Sequence, residues 1–108
     1  MGKFEIKKDA SGHFRFNLKA TNGQVILNSE VYRQKPSCVN GIESVRKNSQ
    51  DDANFDRKDA DGNYRFKLRA TSTLIIGVSK SYNTSAAMEN GIASVKKNAP
   101  NADLEDNS

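Results

Sequence analysis

The stretch KDASGHFRFNLKAT at residues 8–21 returns as KDADGNYRFKLRAT at residues 58–71, at an offset of 50. A second pair keeps that offset: NGIESVRKN at 40–48 and NGIASVKKN at 90–98. Two matches in one register are the mark of a tandem duplication. Ahead of Lys8 the phase slips by one, because Phe4-Glu5 is the counterpart of Phe55-Asp56.

Each copy has the same internal grammar. Phe14, Phe16, Leu18 and Ala20 alternate with Arg15, Asn17 and Lys19, the period of two of a half-buried strand. Tyr64, Phe66, Leu68 and Ala70 alternate in the same way with Arg65, Lys67 and Arg69. A shorter strand precedes each, at Phe4–Lys8 and Phe55–Lys58, joined through Asp- and Gly-bearing links. Such links suit tight turns, since Asp bonds local backbone and Gly accepts positive φ. Asn22-Gly23 predicts a hairpin into Val25-Ile26-Leu27, whereas the second copy has Ser72-Thr73 before Leu74-Ile75-Ile76 and needs another turn.

The period then changes. Cys38, Gly41, Ile42 and Val45 stand at i, i+3, i+4 and i+7, as do Met88, Gly91, Ile92 and Val95, and this predicts one amphipathic helix per copy. Pro36 suits a first helical position and Ser85 an N-cap, with Asn48 and Asn98 as left-handed C-caps behind basic last turns. A glycine inside a helix costs about 1 kcal/mol relative to Ala. Its recurrence on both apolar faces implies a close approach of each helix backbone to the sheet or to the other helix.

A unit of about 50 residues is marginal alone. The expected fold is therefore α+β: two three-strand-plus-helix repeats merged with pseudo-twofold symmetry into one antiparallel sheet, both helices on one face. Residues 1–108 form a single domain, with repeat 1 at about 3–50, repeat 2 at about 54–100 and an acidic, mostly flexible tail at 101–108.

The Phe/Tyr-Arg-Phe-x-Leu-Lys/Arg-Ala strand, followed by Gly-Ile-x-Ser-Val-Lys/Arg-x-Asn, resembles the YegP-like family of bacterial and archaeal proteins of uncharacterised function. The likeness runs from about Phe4 to Asn98 and occurs twice. It implies exchange of the strand that follows each helix: Asn54–Lys58 for the first copy and a segment near Ala102–Glu105 for the second. It implies no activity.

Composition narrows the function. The chain carries a net charge of +4 with one His, one Cys and no Trp. His13 is replaced by Asn63 in the second copy, and Cys38 sits on an apolar helix face, where a thiol is normally inert. No catalytic residue, cofactor site or metal site is expected. The Asp59–Asn63 segment lacks the third ligand and the twelfth-position Glu of a calcium loop, that position being Ala70. No apolar run is long enough to span a bilayer and the opening residues hold no leader-like apolar core, so the cytoplasm is the expected compartment.

Arg15, Lys19, Arg65, Lys67 and Arg69 alternate with the core residues and fall on one open sheet face. They are the candidate contacts for an anionic partner, nucleic acid or acidic protein. The strand aromatics point the other way, so base stacking is not on offer. Tyr32 and Tyr82, each three residues after a serine, either rim a groove or plug the end of the core. The expected protein is a non-catalytic binding module, a monomer acting as an internal pseudo-dimer. The alternative is a structural or protein-interaction pseudo-dimer with no nucleic-acid role.

Overall fold

The computed structural model describes residues 2–71 and 74–108. The Ser72-Thr73 turn therefore lies outside the described residues. The elements run β1 (Lys3–Lys8), β2 (Phe14–Lys19), β3 (Val25–Asn28), α1 (Lys35–Asn48), β4 (Phe55–Ala60), β5 (Asn63–Arg69), β6 (Ile75–Val78), α2 (Ser85–Asn98) and β7 (Asp103–Asp106). A short 3-10 turn precedes β4 and another precedes β7.

All seven strands join one sheet in the order β4-β5-β6-β3-β2-β1-β7. The two repeats meet at its centre, where β3 and β6 pair antiparallel with Asn28 opposite Val78. Both helices cover the same face. Phe4, Phe16, Leu18, Leu27, Phe66 and Leu68 from the sheet and Cys38, Ile42, Val45, Met88, Ile92 and Val95 from the helices form one buried cluster. The helical apolar positions are buried, as are Phe16, Leu18, Phe66 and Leu68 of the period-two positions, while Phe14, Ala20, Tyr64 and Ala70 are half-buried against them.

One pairing departs from an all-antiparallel sheet. β7 runs parallel to β1, with Phe4 beside Leu104 and Ile6 beside Asp106. The expected exchange accounts for it: β4 leaves the first repeat to pair with β5, and β7 leaves the second to reach the first-repeat edge. β1 already holds the antiparallel place beside β2. β7 keeps its direction and is displaced one strand outward. Residues 101–108 are accordingly not a free tail. Asp103 N–H donates to Gly2 O at 3.1 Å and Asn107 N–H to Ile6 O at 2.9 Å, while Lys3 pairs with Glu105 at 2.8 Å and Lys35 with Asp106.

The one-residue slip between copies is a turn difference. In the second copy Ala60 pairs with Asn63, and Asp61 (φ 52°) and Gly62 (φ 81°) close a two-residue hairpin. In the first, Asp9 N–H donates to His13 O, Gly12 N–H donates to Asp9 O, and Gly12 has φ 80°. The Asp9 carboxylate accepts the Ser11 and His13 amides, which holds its pKa below the ordinary value.

The helix glycines answer to the tyrosines rather than to the sheet backbone or the other helix. A Cβ on Gly41 would lie 2.9 Å from Tyr32 Cζ and 3.0 Å from Phe16, and one on Gly91 would lie 2.8 Å from Tyr82 Cζ. Tyr32 stacks on Phe16 at 6.2 Å and Tyr82 on Phe66 at 6.4 Å. Each tyrosine is thus a half-buried plug between strand and helix. Two boundary details also differ. The α2 N-cap is Thr84, whose Oγ1 accepts from Ala87 N–H at 3.0 Å, and Ser85 is the first helical residue. Asn48 and Asn98 stay right-handed inside their helices, their side-chain amides bonding back to Ser44 and Ser94.

Candidate anion-binding sheet face

Strand alternation sets what the uncovered face presents. Asp56, Lys58 and Ala60 of β4 stand opposite Lys67, Arg65 and Asn63 of β5. Glu5 and Lys7 of β1 stand opposite Asn17 and Arg15 of β2. The five cations read from the sequence all lie on this face, together with Lys3, Lys7 and Lys58.

The structure divides those five. Lys19 Nζ sits 2.9 Å from Glu5 and Arg69 Nη2 2.7 Å from Asp56, pseudo-equivalent ion pairs that frame the two ends of the face. The Lys19 ammonium beside Glu5 and the hydrogen bond from Arg69 to Asp56 hold the two carboxyls below their usual range. Arg65 donates through Nε to Ser81 Oγ at 2.9 Å. Arg15 and Lys67 make no ion pair among the described residues. Lys58, Arg65 and Lys67 line a concavity of about 520 Å³ with Ala60, Asp61 and Asn63. Lys58 Nζ also lies 3.7 Å from Asp56, so the cations of this face without a carboxylate partner among the described residues are Arg65 and Lys67 on the second repeat and Arg15 on the first.

Sequence reasoning omitted Lys58 and the acidic partners Glu5 and Asp56. The signal was present in the alternation of Phe4 and Ile6 with Lys3, Glu5 and Lys7, one strand outward from those it used. Asn17 Oδ1 is buried on this face without a hydrogen-bond partner, an acceptor that a phosphate would not satisfy. Cys38 is fully buried, and burial pushes its thiol up to about 11, far from a reactive thiolate. Among the described residues no group of three or more His, Cys, Asp or Glu could hold a metal ion, and no helix is long and apolar enough to cross a membrane.

Fold and face together define a duplicated α+β module with a charged, uncovered sheet. The chain belongs to the family described as a domain of unknown function (DUF1508), whose model matches residues 9–56 and again residues 59–106. Each matched unit starts just before the long strand and ends at the strand after the helix, the strand that is exchanged. The chain is similar to the UPF0339 protein in the ptx operon 5′ region of Stutzerimonas stutzeri, 59% identical over 56 residues, which is 52% of this chain and 50% of that one. It thus spans about half the length of that relative. A UPF0339 protein of Treponema denticola is 62% identical over 52 residues, 48% of this chain but 90% of the other, so a single unit makes up nearly all of that protein. Among solved structures, the solution NMR structure of yegP from E. coli, a protein of unknown function, superposes with TM-score 0.92 at 45% identity, covering 98% of this chain and 92% of that one. A UPF0339 protein from Shewanella oneidensis superposes with TM-score 0.91 at 42% identity, covering 97% of this chain and 90% of that one.

Proposed function

We propose that this protein is a non-catalytic binding module that engages an anionic partner, the phosphate backbone of a nucleic acid, through the open sheet face. The observation that carries the reading is the concavity in which Lys58, Arg65 and Lys67 converge. Lys19 and Arg69, held by Glu5 and Asp56, frame the face rather than neutralise the ligand. With the strand aromatics turned into the core, affinity rests on charge alone, so binding is weak in sequence preference and steep in salt dependence.

The test is an amide NMR titration with short single- and double-stranded oligonucleotides at low and at physiological salt. Shifts at Arg65, Lys67 and Arg15 that are present at low salt and weaken steeply toward physiological salt support the reading. No shifts at low salt, or shifts that do not change with salt, overturn it and leave a protein-interaction module. Reversing charge with Arg65→Glu in the same titration checks that the response comes from this face.

A further inference from the structure

A second concave surface lies on the helix side of the molecule, where the end of α2 meets the β2–β3 turn. Two adjoining hollows of about 380 and 420 Å³ share Thr21, Lys97 and Asn98. Asn22, Asn90, Ser94 and Asn101 complete their polar lining. On a chain in which 28% of residues are charged, this trough presents four side-chain amides, two hydroxyls and one cation, with no carboxylate among its lining residues.

Part of that lining is already oriented. Asn98 is buried and donates through Nδ2 to Ser94 O at 2.8 Å and to Ser94 Oγ at 3.1 Å, which leaves the Ser94 hydroxyl proton free to donate elsewhere. Asn22 accepts from Gln24 N–H at 3.0 Å, which leaves its amide N–H groups to donate outward. Gly2 closes one wall, since a Cβ there would lie 3.0 Å from Asn98 Oδ1. Lys97 is exposed and makes no ion pair among the described residues.

The internal repeat supplies the comparison. Asn90, Ser94, Lys97 and Asn98 have the counterparts Asn40, Ser44, Lys47 and Asn48 on α1, but the counterpart of Ala93 is Glu43, which pairs with Arg46 at 3.1 Å. On α1 a carboxylate stands among the same donors and would repel an anion. On α2 alanine removes that charge and opens the surface. Hydroxyl and amide groups that both donate and accept suit a polyol, and a single ammonium suits one phosphate. We propose that the trough binds a small hydroxylated anion of the sugar-phosphate class, independently of the open sheet face.

Ribose 5-phosphate, ribose and inorganic phosphate are titrated separately into the full chain, reading backbone and side-chain amides by NMR. Ribose 5-phosphate is expected to shift Thr21, Asn22, Asn90, Lys97 and Asn98 with a dissociation constant on the order of 1 mM, typical for a ligand of that size. Ribose or phosphate alone should bind at least about tenfold more weakly. Ala93→Glu, an exposed change, should abolish the shifts while leaving the amide spectrum elsewhere intact, and Lys97→Ala should weaken binding by about tenfold. The proposal is overturned by the absence of saturable shifts in the trough, by unchanged binding in Ala93→Glu, or by phosphate binding as well as the whole ligand. Shifts centred on Arg65 and Lys67 instead would also overturn it, assigning the phosphate to the open sheet face.

Discussion

β1 and β4 begin alike and then part. Phe4 meets Phe16 edge-on at 5.8 Å and Phe55 meets Phe66 at 5.7 Å. Each ring also carries a cation from a helix end, Arg46 over Phe4 at 5.0 Å and Lys96 over Phe55 at 5.6 Å. Two residues further on, Ile6 is fully buried, whereas its counterpart Arg57 is exposed and pairs with Glu89 at 2.6 Å and Asp52 at 3.0 Å. The helix above follows suit: α1 offers Val39 where α2 offers Glu89. The difference lies in the neighbour. β7 lies outside β1, so that position is interior to the sheet, while β4 is the last strand and the same position faces water. An uncovered edge gains from charges that discourage pairing with another chain. Duplicated sequence diverges where the surroundings of the two copies differ.

If the neighbouring strand sets the difference, the two positions differ sharply in energy. Ile6→Ala is expected to cost about 2–5 kcal/mol, the range for emptying a packed site. Arg57→Ala removes partly exposed ion pairs and is expected to cost about 0–1 kcal/mol. Urea unfolding of both variants is the measurement, and equal losses would mean that the edges are not energetically distinct. Ending the chain at Ala102 comes next. It removes the β7 pairing, including the bonds to Gly2 O and Ile6 O, at about 1 kcal/mol each. Amide exchange should then accelerate at Phe4 and Ile6 while β4 is unaffected. Acceleration at both edges would show that β7 supports the whole sheet rather than its own border.

The glycine positions supply the control, because there the two halves agree. Gly41→Ala and Gly91→Ala each drive a methyl into a tyrosine ring and should cost about 1–3 kcal/mol apiece. Unequal costs would mean that the tyrosine plugs are not equivalent despite matching geometry.

These examples also show which features a sequence can carry. Alternation in Phe14–Ala20 and Tyr64–Ala70 placed the core residues and the open-face cations, because strand geometry alone decides them. The helical glycines announced a close approach, but the partner that fills the space, a tyrosine nine residues earlier, depends on packing. The ion pairs that engage Lys19 and Arg69 depend on which strand lies alongside, and they were invisible for that reason. β7 was legible as an exchanged strand, yet its parallel direction follows only once β1 is seen to occupy the place beside β2. The α2 trough had one trace in the sequence, the replacement of Glu43 by Ala93 between otherwise matching helices.

The smallest expected effect concerns acid. Each edge is tied to its helix side by one carboxylate held at about 2: Asp52 through hydrogen bonds from Arg57 and then Lys96, and Asp106 through Lys35 and then Ser108. The ordinary value for both is 3.8. A folded-state pKa below the unfolded one means that the contribution is complete at neutral pH. It fades as pH falls from about 4 through 2, when the unfolded chain takes up protons first. Because both groups lie at the solvent-exposed surface, the change in stability is slight, and the direct observable is carboxyl NMR. Arg57→Ala should return the Asp52 midpoint toward 3.8 and leave Asp106 near 2, and Lys35→Ala should do the reverse. If either variant moved both midpoints, the two edges would be coupled through the sheet, and the separate treatment of a strand-covered edge and an ion-covered edge would fail.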